Sequence, residues 1–224
     1  MLEESIHVPF IFFYNKHMKK LITPTFSEEC TPAKMSDEIQ DRRVDNCSYI
    51  DEDCMQDLSL CEYHECIFTR ITFHGAMNKM EFSDVIFDHC DLSNIKMTEC
   101  NFRRVTFKYC RLTGCDMSGS QFRDTMFSFC RGWYINLSAS RFHGSSFSEC
   151  IFTEGSFSMV KFKNLKIENC DLSGTEWLDT KMKDLDFSDS IIDGIAVTPE
   201  NLKGITVNPE QAVNMAKLLG IQVK

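Results

Sequence analysis

The sequence has no apolar run near the roughly 18 residues that a membrane-spanning helix needs. The apolar stretch from Val8 to Tyr14 is seven residues long and follows the acidic residues Glu3 and Glu4. It lacks the basic start and the small-residue cleavage site of a secretory signal, so a short buried strand is expected there. We therefore predict a cytoplasmic protein, in which the twelve cysteines stay reduced.

An excess of basic residues is also missing. The net charge is −9 over 224 residues, which disfavours nonspecific nucleic-acid binding and predicts no direct nucleic-acid partner. No glycine-rich phosphate loop, HExxH motif, GxSxG motif or oriented Cys-His pair occurs, and the histidines are scattered. We predict that the protein is not an enzyme and that it has no catalytic residues, no cofactor and no metal site.

An internal repeat of five residues is what the chain does have. From Phe82 to Leu202 every fifth residue is large and apolar, with Gly132 as the single exception. From Cys90 to Cys150 the residue two positions before each large residue is small or β-branched, as at Cys90 and Ile95, and the other three positions are mostly polar. A period of five fits neither the 3.6 residues of an α-helix nor the 2.0 of a plain strand.

Two inward residues in every five suit a coil that turns a corner after each repeat. Four sides close a square of twenty residues, and successive turns stack at roughly 4.8 Å through hydrogen bonds between strands. Residues twenty apart then form columns, and stacked aromatic rings fill a narrow core well. Two such columns are Phe87, Phe107, Phe127, Phe147 and Phe102, Phe122, Phe142, Phe162. The pattern predicts an all-β fold, a quadrilateral parallel β-helix.

Five cysteines stand twenty residues apart, at Cys90, Cys110, Cys130, Cys150 and Cys170. They occupy the small inward position of one side of the square. Zinc needs ligands that converge tetrahedrally, whereas a column runs parallel to the axis. Disulfides are within geometric reach of stacked thiols, but a reducing cytoplasm disfavours them. We therefore interpret these cysteines as small buried hydrophobic residues.

The runs CDLSN, CRLTG and CDLSG, which begin at residues 90, 110 and 170, resemble the pentapeptide repeat A(D/N)LXX with cysteine in place of alanine. The resemblance covers about residues 61–202 and implies a right-handed quadrilateral β-helix. Residues 170–224 further resemble the Qnr-type quinolone-resistance proteins, in particular the chromosomal forms of Gram-positive bacteria. Plasmid-borne Qnr proteins carry loops between turns, whereas the repeat here runs unbroken from Phe82 to Leu202.

Three segments follow from these patterns. Residues 1–60 lose the period and collect charge, so we predict an irregular N-terminal cap over the open end of the solenoid, with a helix near Met35 to Arg43. Residues 61–202 form the β-helix. Residues 203–224 contain a short C-terminal α-helix, with Asn208 as N-cap and Gly220 as its stop. Its predicted apolar stripe is Ala212, Met215, Ala216 and Leu219.

Two roles are open for this helix. It covers the last coil of its own rod, or, as the resemblance implies, the helix and its flanking strand join two rods tip to tip as a homodimer. A contact between two identical ends would bury apolar groups that one coil end leaves uncovered. The predicted dimer-interface residues are Val213, Met215, Leu218 and Leu219.

The charges can be sorted by the side of the square on which they fall. The side centred on Phe102, Phe122, Phe142, Phe162 and Met182 displays Arg103, Arg104, Arg123, Arg141, Lys161, Lys163, Lys181 and Lys183, against Asp124 and Asp184. The other three sides are acidic overall. Near the C-terminal end they carry the predicted partner-binding residues Glu168, Asp171, Glu176, Asp179, Asp186, Asp189 and Asp193.

Two functions remain open at this point. In the first, implied by the resemblance to Qnr proteins, the acidic rod mimics duplex DNA, binds a type II topoisomerase (DNA gyrase or topoisomerase IV) and protects it from fluoroquinolones. In the second, the protein is a cytosolic interaction scaffold for a different protein partner. The basic side weakens the mimic, because a mimic of DNA would be negative all round.

Overall fold

The computed structural model describes residues 22–37, 42–218 and 220–223, so the strand expected at Val8–Tyr14 lies outside the described residues. Strands β1 to β15 are Thr31–Pro32, Arg43–Asp45, Cys47–Ile50, Asp53–Cys54, Glu62–His64, Ile67–Thr69, Thr72–Phe73, Glu81–Asp88, Asn101–Lys108, Gln121–Arg123, Met126–Ser128, Arg141–Ser148, Lys161–Glu168, Glu176–Trp177 and Ala196–Val197. A 3₁₀ helix spans Pro199–Leu202, and helix α1 spans Pro209–Leu218. Within the described ranges, neither helix is long and apolar enough to cross a membrane.

The strands pair in parallel, and from β8 onward each residue pairs with the residue twenty positions along the chain. Phe82 lies beside Phe102, and Phe87 beside Phe107. The large inward residues and the small residues two positions before them are buried along the rod. These observations confirm the predicted right-handed quadrilateral parallel β-helix, which has about eight turns.

The aromatic columns stack as predicted, up to the turn that contains Gly132. The rings of Phe107 and Phe127 lie 4.7 Å apart and 8° from parallel, whereas Phe127 and Phe147 meet edge to face at 65°. The ring of Phe152 explains the change, because it fills the space that a larger residue would take at position 132. A Cβ atom built on Gly132 would lie 2.9 Å from Cδ1 of Phe152. Phe147 then packs edge-on against Phe152 at 83°.

The β-helix begins earlier than predicted. Strand β2 pairs with β5, and β3 pairs with β6. Paired residues in these turns are 19 positions apart in the sequence, as Tyr49 and Phe68 are. One side of the square in these first turns has four residues instead of five, which hides the period. Gly75 lies on such a short side, where an added Cβ atom would be 1.8 Å from the carbonyl oxygen of Gln56. Residues 43–60 therefore belong to the rod, and not to the irregular cap predicted for residues 1–60.

The segment at residues 22–37 lies against the first turns as a strap. Strand β1 pairs with β3 and covers the N-terminal edge of the sheet. Upstream of β1, two backbone amides of the strap bind carboxylates of the rod. The amide of Thr25 donates to Oδ1 of Asp84 (3.0 Å), and the amide of Ser27 donates to Oε2 of Glu65 (2.6 Å). A helix is predicted near Met35 to Arg43, but Met35 is buried in a turn and Arg43 is the first residue of β2. The helix is therefore not formed at either end of this range. Residues 38–41 lie outside the described residues.

The buried carboxylate of Asp84 predicts that the strap is sensitive to acid. Burial alone would raise the pKa of Asp84, but hydrogen bonds from Arg104 and Thr25 outweigh it and lower this pKa. A carboxylate with a lowered folded pKa stabilises the fold above its unfolded value of about 3.9 and loses that contribution as the pH falls through the folded value. As the pH falls below about 3.9, we expect the hydrogen-exchange protection of the Thr25 amide to fall, while the core amide of Phe127 stays protected.

Two variants control this experiment. Asp84→Asn is expected to lose Thr25 protection already at about pH 5, because the charged partner of Arg104 is gone. Asp124→Asn changes the same kind of corner residue without touching the strap, and it should behave like the parent. An Asp84→Asn variant that keeps full protection of Thr25 at about pH 5 would show that Asp84 does not hold the strap.

The C-terminal helix forms as predicted. The amide of Gln211 donates to Oδ1 of Asn208 (3.0 Å), and the amide of Asn208 donates to Oε1 of Gln211 (2.8 Å), which is a reciprocal capping box. Gly220 ends the helix with φ +78°. The side-chain amide of Gln211 also donates to the carbonyl oxygens of Phe187 and Ser190, so the helix is fixed to the last turn of the rod.

Candidate protein-binding surfaces

The seven predicted partner-binding carboxylates lie at outward positions in the last turns of the rod, and we call them the acidic band: Glu168, Asp171, Glu176, Asp179, Asp186, Asp189 and Asp193. They occupy three of the four sides. Several of them have an uncharged residue beside them in the next turn. Asp171 pairs with Ile191, and Glu176 pairs with Ala196. The structure therefore gathers these carboxylates at one end of the rod but not on a single side.

The members of the acidic band differ in their local contacts. Oδ1 of Asp171 accepts from the amide and hydroxyl of Ser173, and Asp186 does the same with Ser188. These contacts close the turns of the repeat, so both residues also have a structural role. Glu168 forms an ion pair with Lys166. Glu176 and Asp179 are exposed and make no side-chain hydrogen bond or ion pair with any described residue, so their charges are available to a partner.

The fourth side is basic, and its cations stack directly. We define the basic face as Arg103, Arg123, Arg141, Lys161, Lys163, Lys181, Lys183 and Lys203, all of which are exposed. Parallel pairing places Arg103 beside Arg123, and Arg141 beside Lys161. In the described part of the chain, no member of this set takes part in an ion pair. Like charges directly opposite each other on a sheet destabilise it, so this arrangement is unfavourable without a counter-charge.

Arg104 does not belong with these free cations. It lies at a corner, half-buried, where its Nε donates to Oδ1 of Asp84 at 2.6 Å. The sequence places Arg104 on the basic side, and its spacing of twenty from Asp84 puts the two residues in one column, so this ion pair could have been found from the repeat. The contact of Asp84 with Thr25 could not, because Thr25 lies 59 positions upstream, outside the repeat.

The apolar residues of α1 divide between the rod and the solvent. Met215 is 8% exposed and belongs to the core cluster of its own chain, so it contacts the rod that carries it. Ala212, a member of the predicted stripe, is exposed. Val213 and Leu218 are exposed, as are Ile221 and Val223 after the helix. Leu219 lies outside the described residues. Of the predicted dimer-interface residues, Val213 and Leu218 are the ones that present apolar surface.

The cysteine column is buried, as the sequence predicts. Cys90, Cys110, Cys130, Cys150 and Cys170 are at most 2% exposed and are free thiols. The thiol of Cys130 donates to the carbonyl oxygen of Phe107 (3.4 Å), and serines at the equivalent position do the same, as Ser140 does to Met117 (3.1 Å). Among the described residues, no group of His, Cys, Asp and Glu is arranged to hold a metal ion.

Burial predicts slow thiol chemistry in the native protein. Desolvation raises the pKa of Cys66 to about 12 and that of Cys100 to about 12, which depletes the reactive thiolate. With a colorimetric thiol reagent near neutral pH, we expect the half-buried Cys30 and Cys47 to react first and the ten buried cysteines to react only on unfolding. Rapid modification of Cys110 or Cys150 in the folded protein would contradict the buried column.

Comparisons with known proteins agree with this repeat architecture. The family model described as "Pentapeptide repeat region" matches residues 56–137 and 140–215. No curated protein sequence matches the chain. Full-length QnrB1, a plasmid-mediated fluoroquinolone resistance protein, is 18% identical with a TM-score of 0.36, over 87% of this chain and 99% of that one. HetL, a pentapeptide repeat protein involved in heterocyst differentiation regulation in Nostoc sp. strain PCC 7120, is 11% identical with a TM-score of 0.35, over 74% and 89%.

Neither structural similarity is close enough to carry a function across to this chain. The family match is different, because it covers most of the rod and the repeat itself is visible in the buried columns. The chain belongs to the pentapeptide repeat family.

Proposed function

We propose that this protein is a DNA mimic that binds a type II topoisomerase, DNA gyrase or topoisomerase IV, and protects it from fluoroquinolones. The observation that carries the proposal is the acidic band, a set of carboxylates at one end of a slender rod. Duplex DNA carries one charge per roughly 1.7 Å of axis, and a rigid rod with outward carboxylates presents a similar field to a basic DNA-binding saddle. The resemblance of residues 170–224 to Qnr-type proteins supports the choice of enzyme.

The opposite charge of the basic face sets the orientation of the rod. Repulsion would keep Lys163 and Lys183 away from a basic saddle, so the three acidic sides face the enzyme and the basic face points outward. Within the acidic band, Glu176 and Asp179 are the members whose charges are least engaged with the rod itself.

The proposed active form is a homodimer joined through the C-terminal ends. Val213 and Leu218 on α1, together with Ile221 and Val223, leave apolar surface exposed at the tip of the rod. A two-fold contact between identical tips would bury this surface and bring two acidic bands together at the centre of a longer rod. The centre of the dimer is then the most acidic region and the point at which a saddle built for DNA would bind.

A supercoiling assay tests the function. Purified gyrase in this assay, or topoisomerase IV in a parallel decatenation assay, is inhibited with ciprofloxacin, and this protein is titrated in. The proposal predicts recovery of activity by the parent, and a loss of that recovery in the double variant Glu176→Lys/Asp179→Lys. The control Glu62→Lys/Glu81→Lys makes the same charge change at the other end of the rod and should still protect. No recovery of either enzyme by the folded parent would overturn the proposal.

Light scattering tests the dimer separately. The parent should have twice the chain mass of 25.9 kDa at micromolar concentration, and Leu218→Asp should have the single-chain mass. Met215→Asp is the poorer variant, because Met215 is buried in its own rod and the change would also loosen α1. A parent mass of one chain would contradict the dimer and with it the position of the binding centre.

An exposed aromatic patch favours the second candidate function, a cytosolic scaffold for another protein. The rings of Tyr109 and Phe129 stack on the surface at 5.0 Å, and Trp133 and Tyr134 in the next repeat are 54% and 66% exposed. Tyr and Trp are enriched where proteins bind each other. If the supercoiling assay shows no protection, this patch is where a different protein partner should be sought.

A further inference from the structure

The basic face is the second strongly charged surface of the rod, and no described residue neutralises it. Its exposed side chains stand in two straight columns, separated by one inward residue of each strand. Parallel pairing aligns Arg141 with Lys161 in one column, and Arg103, Arg123, His143 and Lys163 in the other. Lys181 and Lys183 follow twenty residues after Lys161 and Lys163, in the next turn. Neighbouring members are one strand apart, which is about 4.8 Å.

We propose that the basic face binds duplex DNA through its phosphate backbone, without reading the base sequence. From Arg103 to Lys203 the columns cross five turns, or about 24 Å at roughly 4.8 Å per turn. Over that length a duplex presents about 14 phosphates, about seven of them on each strand, at one charge per roughly 1.7 Å. The eight cations of the basic face are close in number to the phosphates of one strand over this length and lie in two parallel columns.

The composition of the face favours nucleic acid over a protein or a lipid surface. The outward residues of the two columns that are not cationic are polar, such as Asn101 and Gln121, and amides of this kind bind phosphate and sugar oxygens. No large apolar residue among the exposed ones lies in either column. Protein interfaces need an apolar core, and helices or sheets that insert into a bilayer surface need apolar side chains. Contact through charge alone is the mode typical of phosphate backbones.

The net charge of −9, which by itself predicts no direct nucleic-acid partner, does not prevent this binding. A five-residue side is at most about 16 Å wide at about 3.3 Å per residue. Charge separations beyond about 8 Å are largely screened at physiological ionic strength. The basic face and the acidic sides therefore act as separate surfaces, and an average over the whole chain conceals both.

Fluorescence anisotropy with a labelled 30-base-pair duplex of arbitrary sequence tests the proposal. Binding at low salt should weaken as salt rises, with a slope of log K against log salt near −5 for about six phosphate contacts. The double variant Lys163→Glu/Lys183→Glu should bind at least tenfold more weakly, with the magnitude of the slope reduced by about two. Lys96→Glu/Arg131→Glu makes the same change of charge on other sides of the rod and should bind like the parent.

Three results would overturn the proposal. The first is a folded parent that does not bind the duplex at low salt. The second is equal weakening by both double variants, which would indicate a dependence on net charge alone. The third is binding to vesicles with anionic lipids, or to polyglutamate, at concentrations where the duplex is not bound. Since Lys163 and Lys183 lie outside the acidic band, the supercoiling assay and the duplex assay can fail independently of each other.

Discussion

Replacing Phe127 with alanine is expected to lower the free energy of unfolding by about 3–5 kcal/mol. The Phe127 ring is fully buried and stacks on Phe107 at 4.7 Å, with Phe122, Phe147 and Phe152 around it at 5.4–6.1 Å between ring centres. These rings belong to three sides of the same narrow core, so the cavity cannot collapse without moving whole turns. The midpoint and slope of urea denaturation measure the loss.

Phe129→Ala is the matched control, because it removes the same ring two positions along the chain. Phe129 is a corner residue, 48% exposed, which stacks only on the surface ring of Tyr109. We expect its loss to cost less than about 1 kcal/mol, the range for surface substitutions and exposed aromatic pairs. Equal losses in the two variants would contradict the assignment of inward and outward positions.

Replacing Cys130 with arginine is expected to prevent folding. Cys130 is fully buried between Cys110 and Cys150, one turn away on either side. A guanidinium there would lose its hydration without gaining a carboxylate, and an unpaired buried charge costs more than the whole stability of a typical domain. The expected result is insoluble protein, or soluble protein without the circular dichroism signal of a β-sheet.

Two controls separate burial from the mere presence of a new side chain. Cys130→Ser should fold with a loss of about 1 kcal/mol or less, because serine at equivalent positions donates to the same kind of carbonyl oxygen. Ser148→Arg introduces the same charge at an outward position whose stacked neighbour is Glu168, and it should fold normally. A Cys130→Arg protein that melts like the parent would show that the column does not face inward.

The rod from Phe82 onward could be predicted because each residue contributes to the fold through its position in the repeat. Inward and outward positions alternate with a fixed period, so one count along the chain assigns the core. The same property limits the prediction. Gly132 is the one position of the repeat without a large apolar side chain. In the structure the ring of Phe152, from the next turn, fills the space beside it. The sequence pattern cannot show that a side chain of one turn fills a gap in another.

The first turns were missed because the pattern there changes by one residue. The four-residue side that contains Gly75 keeps the stacking but breaks the count of five, so residues 43–60 look irregular. Gly75 is the residue that indicates the short side in the sequence. A four-residue side brings two backbone segments into contact and leaves no room for a Cβ atom, so glycine is required there.

The charge of each surface could be predicted from the sequence, but not all the contacts that its side chains make. The sequence assigns Arg104 and Met215 to exposed surfaces, and the structure pairs Arg104 with Asp84 and packs Met215 into the core. The contact of Met215 depends on α1, and the contact of Asp84 with Thr25 depends on the strap, and no period encodes how these two segments approach the rod. The ion pair of Arg104 with Asp84 joins residues twenty positions apart and follows from the repeat. The basic face was visible as a pattern, but its lack of ion pairs within the described chain appears only in three dimensions.

The account depends most on the claim that the acidic band competes with DNA for a topoisomerase. The most direct test measures, by fluorescence anisotropy, the displacement of a labelled duplex from DNA gyrase. The competitor is the variant Lys163→Glu/Lys183→Glu, so that binding of the duplex by the rod itself is weakened. We predict that this variant displaces the duplex, that added salt weakens its effect, and that adding Glu176→Lys/Asp179→Lys to it abolishes displacement. Displacement that is absent, or that survives loss of Glu176 and Asp179, would contradict the account.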